Sequence, residues 1–151
     1  YVENNEIIFN HFYDIGIAIS LERGLIVPVI RNADKMSFAE IESSIADLAS
    51  RAKSKKLSPD DLAGGTFSIT NGGVFGSVLS TPIPAFPQSA ILGMHTIKKR
   101  AVVIDDQIEI RPIMNVALTY DHRIIDGREA IGFLVKVKEF IEEPDKLLLE
   151  L

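Results

Sequence analysis

The sequence predicts an α/β fold in which helices pack on a sheet as a two-layer sandwich. Short apolar runs with partial alternation indicate strands, and two longer segments with apolar residues three and four positions apart indicate helices. The strands are linked both by hairpin turns and by helices, a mixture that favours a layered fold. With 151 residues and 46% hydrophobic content, residues 1–151 are sufficient for one domain with a sizeable core.

The first half of the chain is predicted to contain three strands and a helix. β-Branched and aromatic residues mark the strands, at 6–10, 12–20 and 24–30. Ser37 followed by Glu40 forms a capping-box pattern and predicts a helix over 37–54. Pro59 after Ser58 predicts a short connecting turn or helix.

The second half is predicted to add strands, loops and a second helix. The alternating segment 66–70 indicates a strand, the glycines of 71–77 a sharp bend, and the prolines of 80–88 an extended loop. Two long strands, 90–104 and 107–120, are expected to form a hairpin near Asp105 and Asp106. Apolar spacing after Asp126 predicts an amphipathic helix that ends near Pro144.

The composition excludes several classes of function. A net charge of −5 leaves no broad cationic surface, so we expect neither a nucleic-acid nor a membrane partner, and no apolar run approaches the length of a membrane span. The absence of cysteine rules out disulfides, thiolate metal sites and a cysteine nucleophile, and it fits a reducing compartment. His11 and His95 have no partner at ligand spacing, so no metal site is predicted.

The segment YDHRIIDG at 120–127 carries the strongest chemical signal. His122 lies where a strand ends and a helix begins, with Asp126 four residues later. Histidine can accept a proton near neutral pH, and a carboxylate can orient it. From spacing alone, a helix N-cap role for Asp126 with a partly buried, satisfied His122 is the more common arrangement.

A longer stretch, NVALTYDHRIIDGREAIGFLVKVKEFIEEPDKLLLEL, resembles the C-terminus of the acyltransferase components of 2-oxo acid dehydrogenase complexes, whose signature is DHRxxDG. The resemblance continues upstream through RGLIVPVIRNAD, DLAGGTFSITNGGVFGS and PQSAILGMHTIKKR. NGGVFGS, PQSAILGMH and the LLLEL ending are similar to the succinyl-transferring branch of the family.

The resemblance implies a fold and a reaction. The fold would be that of coenzyme A-dependent acyltransferases, similar to chloramphenicol acetyltransferase, and the chain would be an N-terminally truncated catalytic domain without its lipoyl and peripheral-subunit-binding domains. The reaction would move a succinyl group between dihydrolipoamide and coenzyme A, both as substrates, without a metal. The same chemistry with an acetyl or branched-chain acyl group, or a structural core module that oligomerises without catalysis, are the alternatives.

The resemblance also implies roles for single residues. His122 would be the base that deprotonates the attacking thiol, Asp126 would support it, and Thr70 would stabilise the oxyanion. Without the resemblance, Thr70 is an ordinary β-branched strand residue.

Coenzyme A phosphates need cationic partners, and the sequence offers few. The candidates are Lys98, Lys99, Arg100, Arg123 and Arg128. A three-residue basic run is more often a solvated strand end, and Asp121 with Arg123 is expected to form a structural ion pair.

The partners implied by the resemblance are other chains of the same complex. Family members form homotrimers in which His122 of one chain would face Thr70 of its neighbour, and the trimers build larger cubic assemblies. 2-Oxoglutarate decarboxylase and dihydrolipoamide dehydrogenase would complete the complex, in the cytoplasm of a bacterium or the mitochondrial matrix of a eukaryote. One departure is the stretch Pro84-Ala85-Phe86-Pro87, where relatives usually have Ile-Asn-Pro-Pro; it is expected to alter substrate contacts or subunit packing.

Overall fold

A mixed five-stranded sheet forms the centre of the structure, a computed structural model that describes residues 1–149. In chain order the strands are β1 (Val2–Glu3), β2 (Glu6–Ile7), β3 (Ile15–Ile17), β4 (Ile19–Leu21), β5 (Gly24–Ile26), β6 (Val29–Ile30), β7 (Phe67–Asn71), β8 (Ala90–Met94), β9 (Lys98–Ile104), β10 (Gln107–Ile113) and β11 (Val116–Tyr120). The helices are α1 (Phe38–Lys53), α2 (Gly127–Glu142) and α3 (Asp145–Leu149).

The order of strands in this sheet is β11-β8-β7-β3-β6. Strand β7 runs parallel to β3 and β8, whereas β11 and β6 are antiparallel to their neighbours. In β8 every residue from Ala90 to Gly93 is buried, as expected for an unbroken apolar run in a strand covered on both faces. With helices packed on this sheet, the predicted α/β class is confirmed.

Both long helices begin where the sequence indicates. The capping box of α1 is formed: the Ser37 hydroxyl accepts the Glu40 N–H, and the Glu40 carboxylate accepts the Ser37 N–H at 2.7 Å. Helix α1 buries Leu48 and Ala52 beside β4 and β6. A 3-10 turn follows at Pro59–Asp61, as predicted.

Helix α2 covers the part of the sheet that includes β7. Its Ala130 is buried, and the Phe133 ring makes an edge contact with the Phe67 ring of β7 at a centroid distance of 5.8 Å. No helix in residues 1–149 is long and apolar enough to cross a membrane.

The two long strands predicted for the second half are wrong in their continuity. The chain leaves the sheet at His95–Ile97 and returns at Met114–Asn115, so β9 and β10 form a separate antiparallel ribbon. The reason is tertiary: the Thr96 N–H donates to the Ser77 carbonyl and not to a neighbouring strand. The hairpin turn at Asp105 and Asp106 is confirmed, with positive φ at both residues.

The three predicted N-terminal strands are also shorter than expected. Of 6–10 only β2 is a strand, and 12–20 divides into β3 and β4 at Ala18, whose N–H donates to the Ile69 carbonyl. The run 24–30 divides into β5 and β6 beside the buried Pro28, which has no N–H to donate to a ladder.

Candidate functional site

His122 lies in the turn between β11 and α2, with its side chain exposed. Its ring is tilted 41° to the Tyr120 ring at a centroid distance of 5.4 Å. Within residues 1–149 the imidazole makes no hydrogen bond, so both ring nitrogens are open to solvent or to a bound molecule. The satisfied, partly buried histidine allowed by the sequence is therefore wrong, and the ring of His122 is accessible to a ligand.

Asp121 and Arg123 fix the shape of this turn. The Asp121 carboxylate accepts from the Arg123 backbone N–H at 3.0 Å and from its guanidinium Nε at 2.9 Å, which confirms the predicted ion pair. The guanidinium, together with the backbone N–H, lowers the pKa of Asp121 to about 2. Because the guanidinium already holds this carboxylate, Arg123 is a weaker candidate for a phosphate contact.

Asp126 is the N-cap of α2. Its carboxylate accepts the Glu129 N–H at 2.8 Å, and the Glu129 carboxylate accepts the Asp126 N–H at 3.2 Å. The capping role considered from the sequence is thus confirmed. No hydrogen bond joins Asp126 to His122 in the described chain, so any support from Asp126 passes through the backbone of the turn.

An open cleft of about 450 Å³ lies beside His122. Its lining combines the end of β11 with the proline-rich loop: Thr81, Pro82, Ile83, Pro84, Leu118, Thr119, Tyr120 and His122. Among the described residues that line the cleft, the only side chain that can carry a positive charge is the imidazole itself, and the other polar side chains carry hydroxyls. Such a cleft suits an uncharged chain that ends near the imidazole.

The departure at Pro84-Ala85-Phe86-Pro87 borders this cleft. Pro84 is part of its wall, and Phe86 is 93% exposed at the surface beyond it. A larger apolar cavity of about 510 Å³ lies between β2 and α2, and its lining includes none of the predicted site residues.

Thr70 lies near the opposite end of the sheet from His122. It pairs with Gly93 of β8, which in turn pairs with Ala117 of β11. From Ala117 the strand runs three residues to Tyr120 before the His122 turn begins. With about 3.3 Å per residue and about 4.8 Å between strands, Tyr120 and Thr70 are roughly 14 Å apart. One chain therefore does not bring the two predicted groups together.

The basic run lies on the ribbon and not at the cleft. Lys98, Lys99 and Arg100 are exposed on β9, and Arg100 is paired in register with Arg111. Arg128 is exposed in the first turn of α2. In residues 1–149 no three His, Cys, Asp or Glu side chains cluster so as to hold a metal ion.

Sequence reasoning missed the role of His95. It is 2% exposed at the end of β8, and both ring nitrogens have partners: Ser80 at Nε2 and the Asn115 carbonyl at Nδ1. The available signal was that a polar side chain directly follows an apolar strand. If such a histidine is buried, both ring nitrogens need hydrogen-bond partners. Their identity depends on contacts 15 and 20 residues away along the chain.

Comparison with known proteins gives consistent results. Residues 1–149 match the family model for the 2-oxoacid dehydrogenases acyltransferase catalytic domain. The chain is 61% identical over 150 residues to the dihydrolipoyllysine-residue succinyltransferase component of the 2-oxoglutarate dehydrogenase complex of Rickettsia typhi, and 54% identical to that of Haemophilus influenzae. These alignments cover 99% of this chain but 38% and 37% of the two relatives, so the chain spans little more than a third of their length.

Solved structures are similar over nearly the whole chain. A probable dihydrolipoamide acetyltransferase from Listeria monocytogenes matches with a TM-score of 0.91 and 44% identity, covering 94% of this chain and 61% of that one. The dihydrolipoamide acetyltransferase of Azotobacter vinelandii matches with a TM-score of 0.92 and 33% identity, covering 97% and 61%. The cubic core of a pyruvate dehydrogenase multienzyme complex matches with a TM-score of 0.88 and 34% identity, covering 92% and 57%. Sequence and fold together show that this chain belongs to the family of 2-oxoacid dehydrogenase acyltransferases, whose catalytic-domain model it matches over residues 1–149.

Proposed function

We propose that this chain carries acyl-transfer chemistry between dihydrolipoamide and coenzyme A, with succinyl as the acyl group and His122 as the general base. The observation that carries the proposal is an exposed imidazole without a hydrogen bond in the described chain, at the edge of a cleft in this family's catalytic domain. The succinyl group is favoured because the relatives with 54% to 61% identity are succinyltransferase components.

The proposed reaction requires one proton acceptor and one oxyanion donor. His122 takes the proton from the attacking thiol, and the thiolate sulfur forms a bond to the thioester carbonyl carbon. The resulting tetrahedral oxyanion accepts a hydrogen bond from the Thr70 hydroxyl. Collapse breaks the original carbon–sulfur bond, and the departing thiolate receives the proton from the His122 imidazolium.

We further propose that His122 of one copy acts with Thr70 of another. The separation of roughly 14 Å or more across one chain's sheet supports this arrangement, since two such strand ends do not converge on one carbonyl carbon. A crystallographic and enzymatic study of the Azotobacter vinelandii enzyme concerns a serine, a histidine and an asparagine in its catalytic mechanism, 52 and 4 residues apart. Thr70, His122 and Asp126 have the same two intervals.

In this proposal Asp126 is a positioning residue. Its carboxylate caps α2 and so fixes where the turn after β11 enters the helix. The Azotobacter vinelandii enzyme has an asparagine four residues after its histidine, and asparagine is as good an N-cap as aspartate.

The proposed partners follow from the relatives. Coenzyme A and a lipoyl group would be substrates, with the lipoyl group on a separate domain, and copies of the chain would form a homotrimer within a cubic core. 2-Oxoglutarate decarboxylase and dihydrolipoamide dehydrogenase would be the neighbouring enzymes. Cationic contacts for coenzyme A from Lys98, Lys99 or Arg100 would have to form across the assembly, because these residues do not line the His122 cleft.

The test is succinyl transfer from succinyl-coenzyme A to free dihydrolipoamide, followed by chromatographic measurement of released coenzyme A. We expect His122→Ala to lower kcat about 10²–10⁴-fold with unchanged folding and assembly. His11→Ala is the matched control, because His11 is also exposed but lies outside the cleft.

Two outcomes would favour the alternatives. A folded, assembled wild type without transfer of any acyl group would favour a structural core module. Faster transfer from acetyl-coenzyme A or a branched-chain thioester than from succinyl-coenzyme A would reassign the acyl group.

A further inference from the structure

His95 joins the end of β8 to a segment without regular secondary structure. The Ser80 N–H donates to His95 Nε2 at 2.8 Å, and the Ser80 hydroxyl oxygen lies 3.0 Å from the same nitrogen. On the other side of the ring, Nδ1 lies 2.9 Å from the carbonyl oxygen of Asn115. Both ring nitrogens are therefore used, although the side chain is only 2% exposed.

These partners determine the tautomer of His95. A backbone N–H can only donate, so Nε2 accepts and carries no proton. A carbonyl oxygen can only accept, so Nδ1 carries the proton and donates it to Asn115. Assigned in this way from its partners, the ring is a neutral bridge with one acceptor and one donor in fixed positions.

Two further hydrogen bonds hold the same segment. The Asn115 side-chain amide donates to the Val78 carbonyl at 2.8 Å, and the Thr96 N–H donates to the Ser77 carbonyl at 2.8 Å. Residues 77–80 are thus attached at three points to the places where the chain leaves the sheet after β8 and re-enters it before β11. The exposed Leu79 shows that this segment is not held by burial along its whole length.

The segment continues directly into the wall of the His122 cleft. Thr81, Pro82, Ile83 and Pro84 follow Ser80 and form one side of that cleft. Pro82 also rests on the sheet at Gly93, where an added methyl group would come within 3.1 Å of Pro82 Cγ. The position of this wall is therefore set at its start by His95 and in its middle by Gly93.

We propose that His95 is a positioning residue for acyl transfer, which holds the segment 80–84 as the wall of the substrate cleft beside His122. This inference rests on the proposed function, because the cleft must accept a substrate chain. His95 touches no reacting atom in this proposal and acts only through the backbone of Ser80.

Two substitutions each remove one of the two hydrogen bonds made by the His95 ring. His95→Gln places an amide oxygen near the position of Nε2, where it can still accept the Ser80 N–H, but it gives up the bond to Asn115. His95→Asn places an amide nitrogen near the position of Nδ1, where it can still donate to Asn115, but it releases Ser80. The two variants therefore lose one buried hydrogen bond each and differ in whether the cleft wall stays attached.

The experiment measures amide hydrogen exchange at Ser80, Thr81 and Ile83 together with the KM and kcat of succinyl transfer, on assembled protein. For His95→Asn we expect faster exchange and a KM for dihydrolipoamide or succinyl-coenzyme A raised about 3- to 10-fold, with kcat within about threefold. His95→Gln should keep the wild-type exchange and KM. A purely structural role would instead lower the stability of both variants alike and leave both KM values unchanged, which would overturn the inference.

A second variant keeps the test decisive if His95→Asn does not fold. Asn115→Ala releases the Val78 carbonyl but leaves the backbone carbonyl that accepts from His95, so it should raise the same KM by a smaller factor. An unchanged KM in Asn115→Ala would count against the role of the segment. If the assembled wild type does not transfer an acyl group, the proposed function itself is refuted. If the wild type is active but the His95→Asn and His95→Gln variants have the same KM, only the role of His95 is refuted.

Discussion

Two inactive variants should restore activity to each other if the catalytic groups come from different copies. Thr70→Ala removes the proposed oxyanion donor, and His122→Ala removes the proposed base. Each alone should lower kcat, by about 10²–10³-fold for the hydroxyl and about 10²–10⁴-fold for the imidazole. Mixed before assembly, the two variants would place an intact Thr70 beside an intact His122 at some of the subunit boundaries.

The expected recovery follows from the geometry. In a cyclic trimer each boundary would use His122 of one copy and Thr70 of the next. With equal amounts and random assembly, the first copy carries an intact His122 half of the time, and the next carries an intact Thr70 half of the time, so about a quarter of the sites are complete. The mixture should reach about 25% of wild-type kcat, against about 1% or less for either parent.

The assay is succinyl transfer after the two variants are unfolded together and reassembled, with trimer content checked by sedimentation. A control mixes wild type with the double variant Thr70→Ala/His122→Ala: a shared site predicts about a quarter of wild-type activity, whereas a site within one chain predicts about a half. Activity no higher than the parents in the first mixture, with a half in the second, would refute the shared site.

Two further predictions concern stability, both measured as urea midpoints by circular dichroism at fixed protein concentration. Gly73→Ala should destabilise the fold by about 1–3 kcal/mol, because the added methyl group would lie 2.4 Å from the His95 carbonyl carbon. Gly132→Ala should stabilise it by about 0.8–1 kcal/mol, because the methyl group would enter open space on α2. Equal urea midpoints for the two variants would refute the clash at Gly73. Hydrogen bonds from Arg51, with others from Ser58, lower the pKa of Asp61 from 3.8 to about 2, so its folded-state pKa lies below the unfolded one. That stabilisation is present above about pH 4 and is lost as the pH falls towards 2, so the destabilisation by Asp61→Asn should be clear at pH 6 and shrink between pH 4 and pH 2.5; a constant difference over that range would contradict it.

Helix boundaries could be predicted from the sequence because their causes are local. Ser37 and Glu40 lie three residues apart and fix the start of α1 without help from the rest of the chain. The strand breaks could not be predicted, because their causes are distant. At 95–97 no turn residue interrupts the chain, yet the Thr96 N–H donates to Ser77, and the His95 ring bonds to residues 15 and 20 positions away.

The candidate site divides in the same way. The signature DHRxxDG identified His122 and Asp126, and the capping role of Asp126 was open to local reasoning because the carboxylate lies three residues before the N–H it accepts. The cleft was not, because its second wall comes from residues 81–84, almost forty positions before His122. Neither hydropathy nor spacing reports which loop crosses which strand end.

The position of Thr70 shows why one copy of this fold is insufficient for the proposed chemistry. Thr70 and the end of β11 are separated across three hydrogen-bonded strands, and a sheet whose register is fixed by these hydrogen bonds does not shear to bring them together. The His122 turn is itself braced by the Asp121–Arg123 pair and by the Asp126 cap, so it does not extend towards Thr70. The proposed acyl transfer therefore requires a second copy to supply Thr70. In the copy that supplies His122, residues that set the cleft wall, such as His95, determine how well the substrate is held.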